Sequence, residues 1–303
     1  MTEVRGYRRR AGSAGARNHV FVLPSVVCSA LVAREIAEAT GAIHVSHQHG
    51  CGHIGPDIVQ TRRLYVGLAI NPNVAHALVV SLGCETVQGN LVAEELNRLG
   101  HASQLISIQG SGGNDAARDA GIRAARSLTA QLQDVSRTGV PVDDLVIGVA
   151  TSRSDARSPE LIERAVRAGA RVVVAADRSV ADDLSRDHRV IDIGDQPASP
   201  VSVVRNAGSG AQLLAAMAAC RAQVLVDFPA LDQPPVGFAL APVLSVATEG
   251  GLHDAIADEY DVQAEADAPE IWDRVVAVFS GSLTKAELRG SSSFSIPRLI
   301  RTM

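Results

Sequence analysis

Between His44 and His53 the chain places His44, His47, His49, His53 and Cys51 within a single short run. Imidazole and thiolate bind borderline divalent metals, so this run suits iron, manganese or zinc. The spacing is not that of a zinc finger, and a polar loop with structural histidines is the competing reading. A second group, Gly83-Cys84-Glu85 with Gln88 just beyond, closes an apolar run. Metal sites are commonly assembled from several loops at one sheet edge, which favours reading the two groups together.

Those residues need elements to position them. Val20-Phe21-Val22-Leu23 reads as a buried strand, with Ser25 as N-cap of a helix running to about Ala39 and ended by Gly41. Ile43 to Cys51 reads as a strand leaving a sheet, which puts His47, His49 and Cys51 on one face. Ile58 to Ala69 reads as a helix, Asn71-Pro72-Asn73 as a turn, and Ala77 to Leu82 as a strand covered on both faces. Helix 91–99, strand 102–108 and helix 115–135 complete a first doubly wound unit. Ahead of it, residues 1–18 read as a polar arm.

Thr138-Gly139-Val140-Pro141 reads as a linker. Strands at 145–150, 171–175, 223–227 and 243–247, with helices at 159–169, 211–220 and 270–281, make a second unit, and residues 195–209 read as loop. The expected fold is α/β: two doubly wound, Rossmann-like parallel-sheet units, the first over residues 1–137 and the second over 138–303. In such sheets ligands bind beyond the C-terminal strand ends, where Cys84 and Glu85 fall.

Composition agrees with layered α/β packing. Of 303 residues 46% are hydrophobic and only 3% aromatic, so the core is built from Ala, Val, Leu and Ile. A net charge of −5 gives no basic field for nucleic acid. The apolar stretch after Arg17 is interrupted by Pro24 and followed by Arg34 and Glu35, so neither an export signal nor a membrane span is expected. Cys28, Cys51, Cys84 and Cys220 form no CxxC pair, and the reading is of reduced thiols in a cytoplasmic protein.

Other motifs are weaker. Gly110-Ser111-Gly112-Gly113-Asn114 and Gly208-Ser209-Gly210 each precede a helix, where backbone amides can cradle a phosphate or carboxylate, but a plain flexible turn explains them equally. Neither is a P-loop. Lys285, the sole lysine, has polar neighbours unsuited to a Schiff-base nucleophile.

Several segments resemble the altronate dehydratase/galactarate dehydratase family. Gly6-Tyr7-Arg8-Arg9 and Gly15-Ala16-Arg17-Asn18 resemble its opening, and His47-Gln48-His49-Gly50-Cys51-Gly52 its HxxGCG motif. Asn71-Pro72-Asn73-Val74, Leu82-Gly83-Cys84-Glu85 with Gln88, and Ser280 to Glu287 resemble later segments. The resemblance implies dehydration of sugar acids such as altronate or galactarate with Fe2+ or Mn2+, and the family includes a relative that removes sulfite from sulfolactate.

By that resemblance His47, Cys51, Cys84 and Glu85 hold the metal, and His47 and His49 are the catalytic bases, although His49 is extra to the motif. Arg17, Asn18, Asn73, Gln88, Ser154 and Asp155 contact the hydroxy-acid substrate. Fused members of that family begin with a small SAF-like domain and this sequence starts after it, so the resemblance implies either a separate small subunit that supplies it or its absence, and a homo-oligomer is expected. A second-half motif is degraded to Ala150-Thr151-Ser152-Arg153-Ser154-Asp155-Ala156. That departure leaves open a changed substrate, or a binding or regulatory subunit without dehydratase activity.

Overall fold

The computed structural model describes residues 4–9, 13–101, 103–151, 155–176 and 178–300. The chain begins with two short strands, β1 (Val4–Arg8) and β2 (Ala14–Gly15). The first parallel unit follows as β3 (His19–Pro24), α1 (Val27–Thr40), β4 (Ile43–His44), α2 (Pro56–Ala69), β5 (Val74–Ser81), α3 (Gly89–Arg98), β6 (Ser103–Ser107) and α4 (Asn114–Ala130). Its strand order is β4-β3-β5-β6, all parallel, so the order reverses between β3 and β5. That reversal is the switch point where doubly wound sheets open a crevice.

Alternation along the strands builds both faces. Val20, Val22, Leu78 and Val80 are buried with Val32, Ile36 and Ala117 under α1 and α4. Phe21, Leu23, Ala77 and Val79 point the other way, into a core shared with α2 and the second unit. Each of the buried Val, Leu, Ile and Phe side chains among these contributes roughly 1.5–3 kcal/mol through burial.

After β7 (Thr138–Val140) the second unit runs β8 (Val146–Thr151), α5 (Arg157–Arg167), β9 (Arg171–Ala176), α6 (Arg178–Leu184), β10 (Arg189–Ile191), β11 (Val201–Val204), α7 (Ala211–Ala219), β12 (Val224–Phe228), β13 (Val243–Ser245), α8 (Leu252–Ala255), α9 (Ala268–Phe279) and α10 (Lys285–Arg289). Its sheet is ordered β10-β11-β9-β8-β12-β13 and is parallel throughout. Helices α2 and α7 pack against each other between the two sheets. Gly67 permits this contact, because a Cβ there would lie 2.5 Å from the Ala219 carbonyl oxygen. The two expected Rossmann-like units are therefore present, back to back.

Three local expectations change. The polar arm and the linker are strands: β1 pairs antiparallel with both β2 and β7, and Val4, Ala14 and Ala16 are buried in the core of the second unit. Their apolar side chains fall on alternate positions of a short segment otherwise dominated by Arg and Gly, which hides the pattern. The strand expected over 43–51 stops at His44, because β4 is an edge strand paired with β3 only at Ile43 and His44. The expected loop over 195–209 contains β11.

The C-terminal segment ties the two units together at one end. The Ser293 amide donates to the Gly237 carbonyl at 2.8 Å. Gln48 of the first unit donates to the Phe294 carbonyl, Gln212 of α7 to the Ile296 carbonyl, and Gln60 of α2 to the Pro297 carbonyl. Asp57, buried in the first turn of α2, accepts from the Leu299 amide at 2.7 Å and pairs with Arg298 at 3.0 Å. The N-terminal turns of α2 and α7 thus share one strap, which places the C-terminal edges of both sheets on the same side.

Candidate active site at the β3–β5 switch point

The loop after β5 carries Cys84 and Glu85 to this edge, and the loop after β4 carries the histidines. Glu85 is buried and its carboxylate is fully engaged. Its Oε1 accepts from the Ser25 hydroxyl at 2.8 Å and the Gly89 amide at 3.1 Å, and its Oε2 accepts from the Gly83 amide at 2.6 Å. Burial pushes the carboxyl up, but these bonds outweigh it and hold the group below the usual carboxylate range. Ser25 is therefore not the N-cap of α1. Its hydroxyl bridges to Glu85, and Val26 occupies the cap position without a side-chain bond.

His47, His49 and His53 form a mutual edge-to-face cluster. Ring centroids stand 6.3 Å apart for His47 and His49, 6.4 Å for His47 and His53, and 5.3 Å for His49 and His53. His47 is buried: its Nδ1 accepts from the His49 amide at 3.0 Å, and its Nε2 bonds the Tyr65 hydroxyl. Burial, then the fields of His53 and His49, bring its pKa down to about 3, so it is neutral at physiological pH. Burial also lowers His49 and His53, with Arg298 adding to the effect and Asp57 opposing it. Among the described residues His53 Nε2 has no hydrogen-bond partner.

Tyr65, fully buried on α2, links the two groups. Burial and the Glu85 charge raise its phenol well above the ordinary value, so it stays a hydrogen-bond donor or acceptor and does not ionise. The sequence reading missed Tyr65. The available signal was a hydroxyl-bearing ring on the apolar face of the helix that follows the histidine run.

The four residues expected to hold a metal do not assemble into a ligand set. Among the described residues no three His, Cys, Asp or Glu side chains stand ready to hold a metal ion. The physical reason is competition: His47 uses both ring nitrogens within the protein, and Glu85 saturates its carboxylate with its own loop and Ser25. Cys51 and Cys84 are exposed free thiols in adjoining loops, joined where the Thr86 hydroxyl donates to the Cys51 carbonyl at 2.9 Å. These residues as folded do not fit a preformed metal centre.

The expected substrate-binding residues divide. Arg17 donates to both Glu287 oxygens, at 2.6 and 2.8 Å, and to the carbonyls of Ala16, Val278 and Ser282. All five guanidinium donors are thereby committed, and none is left for a substrate carboxylate. Asn73 is buried and equally spent: its Oδ1 accepts from the Ala16 and Arg17 amides and its Nδ2 donates to the Gln223 and Leu240 carbonyls. Asn18 accepts from Arg9 at 2.8 Å. Asp155 pairs with Arg157 at 2.9 Å at the start of α5. Ser154 lies outside the described residues. Gln88 is exposed at the start of α3, beside Glu85 in sequence, and is the member of that set standing at the β3–β5 edge.

The family model described as D-galactarate dehydratase/altronate hydrolase, second domain, matches residues 6–133. Altronate dehydratase of Escherichia coli is 30% identical over 168 residues, covering 52% of this chain and 33% of that protein. Altronate dehydratase of Bacillus subtilis is 26% identical, covering 50% of this chain and 32% of that protein. The beta subunit of (2R)-sulfolactate sulfo-lyase from Chromohalobacter salexigens is 29% identical, covering 50% of this chain and 39% of that protein. The chain thus spans about a third of the length of these relatives, and the matches cover about half of the chain rather than all of it. No helix among the described residues is long and apolar enough to cross a membrane. The matched segment contains β3 to α4 and every residue of the switch-point cluster, and over it the chain is similar to the D-galactarate dehydratase/altronate hydrolase family.

Proposed function

We propose that the chain is a carbon–oxygen lyase that removes water from a hydroxy-acid, with sugar acids such as altronate or galactarate as substrates. The observation that carries this reading is the convergence of His47, His49, Tyr65 and Glu85 at the β3–β5 switch point within the family-matched segment. Helices α1 and α3 begin at the same edge, and their amide ends favour a substrate carboxylate there.

Elimination requires a base for the proton α to the carboxylate and an acid for the departing β-hydroxyl. His49 is neutral and half-exposed, so its imidazole is assigned both roles. It takes the α-proton, the released electron pair forms the Cα=Cβ bond, and the β-hydroxyl leaves as water with that proton. The enol then tautomerises to a 2-keto-3-deoxy acid. His47 is a positioning residue: it accepts from the His49 amide and is itself fixed by Tyr65. A divalent cation, Fe2+ or Mn2+, belongs to this proposal as a cofactor. No step is assigned to it, because the residues as folded do not form its site.

The sulfo-lyase relative favours a second reading, elimination of sulfite from a sulfo-acid by the same α-proton chemistry, with this chain as one subunit beside a smaller one. A panel of altronate, galactarate and sulfolactate, offered with Fe2+ or Mn2+ under exclusion of oxygen, tests both. Formation of a 2-keto-3-deoxy acid supports the first reading, and sulfite release the second. A folded chain that turns over none of them, with or without metal, overturns the first reading, and the second is overturned if no sulfite is released when a small partner subunit is supplied as well.

A further inference from the structure

The C-terminal edge of the second sheet holds a pocket unrelated to the histidines. Its volume is about 230 Å³, and Gly210, Ala211, Leu213, Asp227, Pro234 and Val236 are among the residues that line it. Asp227 is the penultimate residue of β12, beside β8 at the second reversal of strand order. The residue is only 9% exposed, yet among the described residues its carboxyl group has no hydrogen-bond or ion-pair partner. The nearby Tyr260 hydroxyl is turned away and donates to the Gln233 carbonyl at 3.1 Å. A buried carboxyl without a partner carries a large desolvation penalty, which a ligand in the pocket would relieve.

The opposite wall is the first turn of α7. Gly210 caps it at φ +54° with no side-chain bond, and a Cβ placed there would meet nothing within 4 Å. Among the described residues the Gly210 and Ala211 amides have no acceptor, so the positive end of the helix opens onto the pocket. A helix N-terminus disfavours a cationic ligand. Leu213, Pro234 and Val236 make much of the wall apolar, with Gln233 and Ser293 as the polar side chains beside Asp227, so most hydroxyls of a long sugar acid would be desolvated without a partner.

We propose that this pocket binds a short-chain monocarboxylic acid, its carboxyl group bridging Asp227 and the first turn of α7 and its apolar chain lying against Leu213, Pro234 and Val236. One proton is shared between the two carboxyl groups, and the helix end stabilises the remaining charge. The state of Asp227 agrees with this, since burial alone pushes its carboxyl up to about 7. The flanking β8, β13 and α7 carry no charged residue. The titratable side chain facing Asp227 is Tyr260, itself raised above the ordinary phenol value by burial and by Asp227, and it keeps its proton throughout this range.

The test is a calorimetric titration of the whole chain with butyrate at pH 6, 7, 8 and 9. The wild type should bind one equivalent, with affinity falling about tenfold per pH unit above pH 7 as the shared proton is lost. Asp227→Asn keeps the shape and a hydrogen-bond donor, so its binding should be flat with pH. Asp227→Leu should lose binding at least tenfold. Gluconate and inorganic phosphate should bind at least tenfold more weakly than butyrate. The proposal is overturned if the wild type fails to bind butyrate at about 10 mM, if Asp227→Asn keeps the wild-type pH profile, or if gluconate or phosphate binds as well as butyrate.

Discussion

The Ser25 hydroxyl and the Glu85 carboxylate, sixty positions apart in the chain, meet at 2.8 Å across the gap between β3 and β5. That bond closes the base of the crevice where strand order reverses. It fixes the loop that carries Cys84 relative to the helix start that faces it.

Ser25→Ala should remove this bond but leave the two backbone amides on Glu85. We expect a loss of ~1–2 kcal/mol in stability. Glu85→Gln should cost more, ~2–3 kcal/mol, because an amide cannot accept from all three donors and leaves a buried donor unmet. Chemical denaturation of both variants gives the order, and an equal effect would contradict the assignment of Glu85 as the hub.

Arg17 is assigned to structure, holding the β2–β3 turn to the segment around Glu287. Arg17→Ala should leave Glu287 as a partly buried, unpaired charge and lower stability by ~3 kcal/mol or more. Arg17→Ala with Glu287→Ala should recover part of that loss. In an active preparation the single variant should keep the wild-type KM at a temperature where it is folded; a KM raised tenfold or more would restore Arg17 to the substrate.

The histidine cluster makes stability depend on pH in a definite direction. His47 has a folded pKa of about 3 against an ordinary value of 6.5, so the unfolded chain binds the proton first as pH falls. Its contribution is therefore fully present above pH 6.5 and is lost progressively down to about pH 3, with His49 and His53 acting in the same direction. The melting temperature should drop through this window, and His53→Leu should reduce the slope.

Asp227 behaves oppositely. Its carboxyl titrates near 7 when folded against an ordinary value of 3.8, so it opposes folding increasingly between those values. The difference is about three units at 1.4 kcal/mol each, so Asp227→Asn should stabilise the ligand-free protein by up to ~4 kcal/mol at pH 8 and by little at pH 4. A variant less stable than wild type at pH 8 would mean that Asp227 has a favourable partner.

Much of this was legible in the sequence. The apolar runs at Val20–Leu23 and Ala77–Leu82 revealed the central strands, because strands covered on both faces cannot hide their composition. Gly41 marked the real end of α1, where it is the left-handed C-cap. The antiparallel ribbon of β1, β2 and β7 was not legible, since its pairing joins residues far apart in sequence and its few apolar positions sit among arginines. The site was half legible. His47 and Glu85 do lie at one edge, but sequence spacing does not show that Tyr65 and Ser25 already occupy their polar atoms. Arg17 and Asn73 show a related point: side chains with many donors and acceptors serve equally well to lock loops, and here their polar groups are spent on folded neighbours that sequence spacing does not reveal.

The most direct test of the proposed lyase chemistry is the α-proton itself. Galactarate, altronate and sulfolactate would be incubated with the chain in D2O, with Fe2+ or Mn2+ present, and the α-proton signal of each acid followed by NMR. The wild type should lose that signal for at least one acid, and His49→Ala should lose it at least a hundredfold more slowly. A wild type that leaves every α-proton in place, or a His49→Ala variant that removes it as fast, would contradict the proposed chemistry.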